Sequence, residues 1–165
     1  MKKEIWVEPI DFIKALNQKD VRYLLVGRQA LVQYGAPLQS FDYDFFVSPD
    51  EETLHKIKEV AEELGMEIYP EDPWKSPKLT LYSDNLKVDI FRAKRYSLGE
   101  GKFLEFEEMF QRKSVVKRGD FFIYLPSLED LKKSKMLRDS PKDREDIKYI
   151  EFFLSKKRRT SGKET

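Results

Sequence analysis

The sequence predicts an α+β domain, of the α/β type in which strands and helices interleave, with about five or six strands and a helical C-terminal part. Three observations predict it. Short β-branched and aromatic runs at 21–26, 41–47 and 86–91 stop at glycine or polar turns, as buried strands do. Between them lie segments whose apolar residues recur at helical spacing. From Pro126 onward that spacing dominates.

The elements follow in order. Residues 10–16 place Ile10, Ile13 and Leu16 at helical spacing and end at 17–20. Residues 21–26 form a strand that stops at Gly27. Residues 28–34 form a helix through Ala30, Leu31 and Tyr34, closing on Gly35, a natural left-handed C-terminal residue. Ala36-Pro37 marks a turn. In the strand 41–47, Phe41, Tyr43 and Phe45 are expected to face the core. Ser48-Pro49-Asp50-Glu51 has the form of a helix start, with Ser48 as cap and Pro49 as first helical residue. That helix runs to Leu64 on a stripe of Leu54, Ile57, Val60 and Ala61, and ends at Gly65. Strands at 66–69 and 79–82 flank a proline-rich loop, and another follows at 86–91. Residues 103–110 fit helix or strand equally. A strand at 121–125, a helix from Pro126-Ser127 to about Leu137 and a helix from Pro141 to about Leu154 complete the chain. The expected organisation is a single domain over 1–155, with C-terminal helices 127–155 packed on it, and a basic disordered tail at 156–165.

Composition removes several function classes. The chain of 165 residues has no cysteine, which excludes thiolate metal sites, cysteine nucleophiles and disulfides. The longest apolar runs fall far short of the ~20 residues of a membrane span. The N-terminus is basic without an apolar stretch behind it, so no signal peptide is expected and a reducing cytoplasm suits the chain. The 31 basic and 30 acidic residues leave a net charge of +1, so no overall field draws nucleic acid. A charged fraction of 37% rich in Lys and Glu resembles thermophile usage.

The chemistry concentrates at Asp42-Tyr43-Asp44. Residues two apart on a strand share a face, so both carboxylates project together. Such a pair repels itself unless a cation intervenes, and a hard divalent ion with oxygen ligands is the natural partner. Asp89 alternates with Leu86, Val88 and Ile90, so it faces away from that apolar set and joins the pair if the strands are neighbours. Gly27 ends a strand and opens a helix, a junction where backbone N–H groups receive phosphate.

With these residues in order, 25–30 (Leu-Val-Gly-Arg-Gln-Ala) followed by Ser40-Phe41-Asp42-Tyr43-Asp44-Phe45 resembles the signature of the DNA polymerase β-like nucleotidyltransferase superfamily. The ending, Leu125-Pro126-Ser127-Leu128-Glu129-Asp130 with Lys135 and then 141–147, resembles its small bacterial and archaeal branch, the minimal or AbiEii-like proteins. The resemblance implies a mixed sheet flanked by helices. It implies Mg²⁺ (or Mn²⁺) on Asp42, Asp44 and Asp89, with Asp89 also activating an acceptor hydroxyl. A nucleoside triphosphate such as ATP would lie on Gly27, with Arg28, Ser40 and Lys135 as further nucleotide contacts. The acceptor is a small molecule, protein or RNA.

Three residues depart from the pattern. Arg28 stands where a second small turn residue is usual, and Leu38 and Ser140 stand where relatives often carry Arg. Arg28 either binds phosphate from outside the turn or blocks it. A second hypothesis is therefore a silent module that binds nucleotide or a small helical partner protein, as in a toxin–antitoxin pair. A third is a two-metal phosphodiesterase. Among other residues, His55 is expected on the surface without a role, Trp6 and Trp74 as anchors, and 156–159 as a solvated helix end. Arg92, Lys94 and Arg95 follow the Asp89 strand closely enough to meet an anionic substrate.

Overall fold

A computed structural model describes residues 5–136 and 140–163. Helix α1 (Pro9–Gln18) leads into β1 (Tyr23–Val26), α2 (Gly27–Tyr34), β2 (Tyr43–Val47), α3 (Glu51–Leu64), β3 (Glu67–Tyr69), β4 (Lys78–Tyr82) and β5 (Lys87–Arg92). Then come β6 (Arg95–Gly99), β7 (Lys102–Glu105), α4 (Phe106–Gln111), β8 (Ser114–Arg118), β9 (Phe121–Leu125), α5 (Leu128–Met136) and α6 (Pro141–Lys163). The result is the mixed sheet with flanking and C-terminal helices that the sequence predicts.

The central sheet has five strands in the order β1-β2-β5-β4-β3. Only β2 and β5 run parallel; the other neighbours are antiparallel. One face carries Leu25, Phe45, Val47, Val88, Ile90, Leu79 and Leu81 into the main core. There Phe12, Ile13 and Leu16 of α1 and Leu54, Ile57 and Val60 of α3 meet them. Strand alternation sends Leu24 and Phe46 to the other face, into a smaller cluster with Leu104, Phe106 and Met109. Residues 94–112 thus cover the β1–β2 half of that face. Over β3 to β5 the same face leaves Tyr69, Tyr82 and Phe91 exposed.

Several details differ from expectation for identifiable reasons. Phe41 is 89% exposed and does not enter the core. Ladder pairing of β2 starts at Tyr43↔Val88 and Asp44↔Val26, so the chain before Tyr43 has no sheet to hold it. The cap of α3 is Asp50, not Ser48: the backbone N–H of Thr53 donates to Asp50 Oδ1 at 2.8 Å. Pro49 lies outside the helix, its carbonyl accepting from Arg92 Nη2 at 3.1 Å. Residues 103–110 are both strand and helix, divided between Glu105 and Phe106. Strands β6 and β8 were not anticipated, and α6 continues to Lys163, past Leu154. Leu137 falls outside the described residues. Among the described residues no helix is long and apolar enough to cross a membrane.

Candidate active site

Sheet register brings the candidate residues together. Val26 lies opposite Asp44 across β1–β2, Asp44 opposite Asp89 across β2–β5, and Asp89 opposite Thr80 across β5–β4. A single row therefore crosses the sheet from the glycine turn to Thr80. Gly27 follows Val26 directly and opens α2 at φ +71°, where a side chain is disfavoured. A β-carbon there would sit 3.4 Å from Asp44 Oδ2, so the turn packs against the carboxylate.

Asp89 is half-buried and held from several sides. Thr80 Oγ1 donates to its Oδ1 at 2.8 Å, while Lys78 and Lys87 each approach Oδ2 to 4.0 Å. Asp42 precedes the strand and is exposed. Its backbone N–H donates to Ser40 Oγ at 3.3 Å, and the Gln29 side chain donates to the Ser40 carbonyl, so Ser40 shapes the bend that presents Asp42.

Two cavities meet at Gly27, Asp44 and Lys135. The first, about 330 Å³, is lined by Asp42, Asp44, Asp143 and Asp146 together with Arg28, Lys135 and Lys142. The second, about 380 Å³, opens on the other side of Asp44 and reaches Asp89. Asp44 is thus shared: with Asp42 in the first cavity and with Asp89 in the second.

The structure answers how Arg28 is accommodated. Its guanidinium turns toward α6, with Nε 3.1 Å from Asp146 Oδ1 and Nη2 3.4 Å from Glu145 Oε2. Lys135 Nζ donates to the other Asp146 oxygen at 2.8 Å. One buried carboxylate from α6 therefore gathers cations from α2 and α5, and with Glu145 two cations face two carboxylates beside the first cavity. Asp146 was not singled out from the sequence; its only signal was its place in the 141–147 pattern. The other departures also find structural uses. Leu38 packs on the main core, and Ser140 Oγ accepts from the Asp143 N–H at 3.1 Å, capping α6.

Arg92 is a correction. Rather than facing a substrate it is buried, donating to the carbonyls of Pro73, Ser76 and Pro49 at 2.9, 3.2 and 3.1 Å. His55 is exposed and stacks edge-on against Trp74, centroids 4.9 Å apart, away from the carboxylates. Trp6 is exposed, its indole N–H donating to Glu8 at 2.6 Å.

Among the described residues no three His, Cys, Asp or Glu side chains form a ready-made cation cage. Magnesium does not require one: it is commonly held by one or two carboxylates together with substrate phosphates and water. Each cavity offers two carboxylates of that kind, Asp42 and Asp44 in the first and Asp44 and Asp89 in the second.

No protein-family model matches the sequence, and neither does any curated protein. Solved structures do match. TM1012 from Thermotoga maritima, a proposed nucleotidyltransferase, has a TM-score of 0.62 at 18% identity, over 89% of this chain and 90% of its own. The lincosamide antibiotic adenylyltransferase LnuA, with lincomycin bound, gives 0.59 at 19% identity over 88% of this chain and 97% of its own. ANT(2'')-Ia with adenylyl-2''-tobramycin gives 0.60 at 16% identity, over 88% and 86%. These similarities show the fold: the chain shares that of solved nucleotidyltransferases, as the polymerase β-like resemblance implies. They do not single out the AbiEii-like branch.

Proposed function

We propose that the protein is a metal-dependent nucleotidyltransferase that moves a nucleoside monophosphate from a triphosphate to a hydroxyl group. The observation that carries this is the register row Val26–Asp44–Asp89, which sets two carboxylates side by side against the positive-φ Gly27 turn. Asp42, Asp44 and Asp89 would hold Mg²⁺ or Mn²⁺, which supplies charge stabilisation on the attacking and leaving oxygens. The first cavity receives the triphosphate: Gly27 and the start of α2 offer backbone N–H groups, and Arg28, Lys135 and Lys142 face the phosphate charge. Asp89, which lines the second cavity, would take the proton as the acceptor oxygen bonds the α-phosphorus. The bond to pyrophosphate breaks, and pyrophosphate leaves through the first cavity.

Two of the solved structures that share the fold, LnuA and ANT(2'')-Ia, have antibiotics in their names, which supports small-molecule acceptors without fixing one. Nothing in them supports a helical protein partner. The test is transfer of label from each nucleoside triphosphate, with Mg²⁺ or Mn²⁺, to a panel of hydroxyl acceptors. Wild type should transfer, and Asp42→Asn and Asp44→Asn should each lose at least ~100-fold, the scale of removing one charge-stabilising group. No transfer from any triphosphate, or variants indistinguishable from wild type, would refute the reading and leave a silent binding module. Cleavage of bis-p-nitrophenyl phosphate in place of transfer would point to the phosphodiesterase.

A further inference from the structure

The second cavity has its own chemistry. Its walls include Phe46, Phe91, Tyr96, Met109 and Leu131, so most of a ligand's body would meet apolar or aromatic surface. At about 380 Å³ it holds a compact molecule rather than a polymer.

Three acids line it, and none is left for a ligand ammonium. Asp44 and Asp89 belong to the reaction centre. Asp130 is saturated by Arg112, whose Nε and Nη2 donate to its two oxygens at 3.0 and 3.1 Å. The cations are placed differently. Lys135 is bound to Asp146, and Arg95 is matched by Glu105 at 3.0 Å. Lys78 has Asp89 as its ion-pair partner, at 4.0 Å. Its ammonium also lies 5.7 Å from the centre of the Phe91 ring. Once Asp89 is committed to the reaction, Lys78 loses its counter-charge at the edge of an aromatic wall.

Resting on the reading above, we propose that this cleft binds the acceptor. The acceptor is a compact hydroxyl compound with a flat apolar body and an oxyanion group, and Lys78 receives the oxyanion. Lys78 is then the residue that selects anionic over cationic acceptors, in a fold whose solved relatives serve other acceptors.

Three probes of one shape test the charge rule: 4-(hydroxymethyl)benzoate, 1,4-benzenedimethanol and 4-(hydroxymethyl)benzylamine. Calorimetric titration into the full chain with Mg²⁺ should rank carboxylate over diol over amine, with about tenfold between the ends, as expected for a half-exposed ion pair. Lys78→Ala should remove the carboxylate's advantage and leave the diol unchanged; Lys78→Glu should invert the order. Failure of all three to bind, an amine preference, or a wild-type order surviving in Lys78→Ala would overturn the proposal. The predicted order without transfer to any acceptor would refute the enzymatic reading and keep the cleft assignment. Transfer confined to hydroxyl acceptors that carry an ammonium group would do the reverse.

Discussion

Replacing Asp146 is the sharpest test of how the site is held. Its carboxylate is 1% exposed and bridges Arg28 Nε at 3.1 Å and Lys135 Nζ at 2.8 Å, with the lysine side chain 3% exposed. Breaking a buried pair by deleting one partner costs ~3–5 kcal/mol, because the other charge is stranded. Arg28 retains Glu145 at 3.4 Å and an 18% exposed side chain, which softens its share. Lys135, 3% exposed, has no second carboxylate partner among the described residues, so the lower end, about 3 kcal/mol, is expected for Asp146→Asn. In a domain of this size that lowers Tm by about 6–12 °C. Urea denaturation measures the loss directly. Lys135→Met combined with Asp146→Leu removes both charges of the tightest pair and should recover most of it, since an apolar pair of similar volume often replaces a buried ion pair without loss. An Asp146→Asn loss below ~0.5 kcal/mol, typical of surface substitutions, would refute the reasoning. So would a double variant no more stable than Asp146→Asn.

Two further outcomes follow from the geometry. Burial pushes the Tyr23 phenol up to about 12, outweighing its hydrogen bond from Asn17. Below pH ~10 the phenol is protonated in folded and unfolded chains alike, so its contribution is whole. Between about 10 and 12 the unfolded chain ionises first, and roughly 3 kcal/mol of stability is lost as pH rises. Denaturation at a series of alkaline pH values should show this fall, with a smaller slope in Tyr23→Phe; equal slopes would refute it. At the turn, Gly27→Ala forces a side chain into φ +71° and should cost about 1–2 kcal/mol in urea denaturation even though its methyl finds room 3.4 Å from Asp44. A neutral change would mean that the turn relaxes.

Much of the site was legible because its residues sit on regular elements. Period-two alternation was enough to put Asp89 on the face opposite Val88 and Ile90, and glycine stops marked Gly27, Gly35 and Gly65 at positive φ. Element edges were harder. Phe41 reads as strand because aromatic residues favour strands, but a strand exists only where a partner strand supplies hydrogen bonds, and pairing stops at Tyr43. Strands β6 and β8 are short and pair only within their own hairpins; β6 offers two apolar residues, Tyr96 and Leu98, and β8 an adjacent pair, Val115 and Val116, too few to mark a strand among charged neighbours such as Arg95 and Lys117. Asp146 was hidden for another reason. Its partners lie 118 and 11 residues away in sequence, and an acid in a charged helix looks solvated until the packing of α2 and α5 against α6 buries it. Arg92 illustrates the same limit in the other direction: its place with Lys94 and Arg95 at the end of the Asp89 strand suggests contact with an anionic substrate, while its guanidinium ties two loops together.

The uneven covering of the sheet separates two kinds of change that sequence drift can make. Asp44, Asp89 and the glycine turn are locked by ladder pairing in central strands, where a one-residue slip would turn every side chain to the opposite face. The segment 94–112, by contrast, lies on top of that frame and contributes Arg95, Tyr96 and Met109 to the cleft without pairing to the central sheet. Insertions or substitutions there can reshape what the cleft admits while the carboxylate row keeps its spacing. A fold partitioned in this way lets one layer drift while the strands beneath it keep their register.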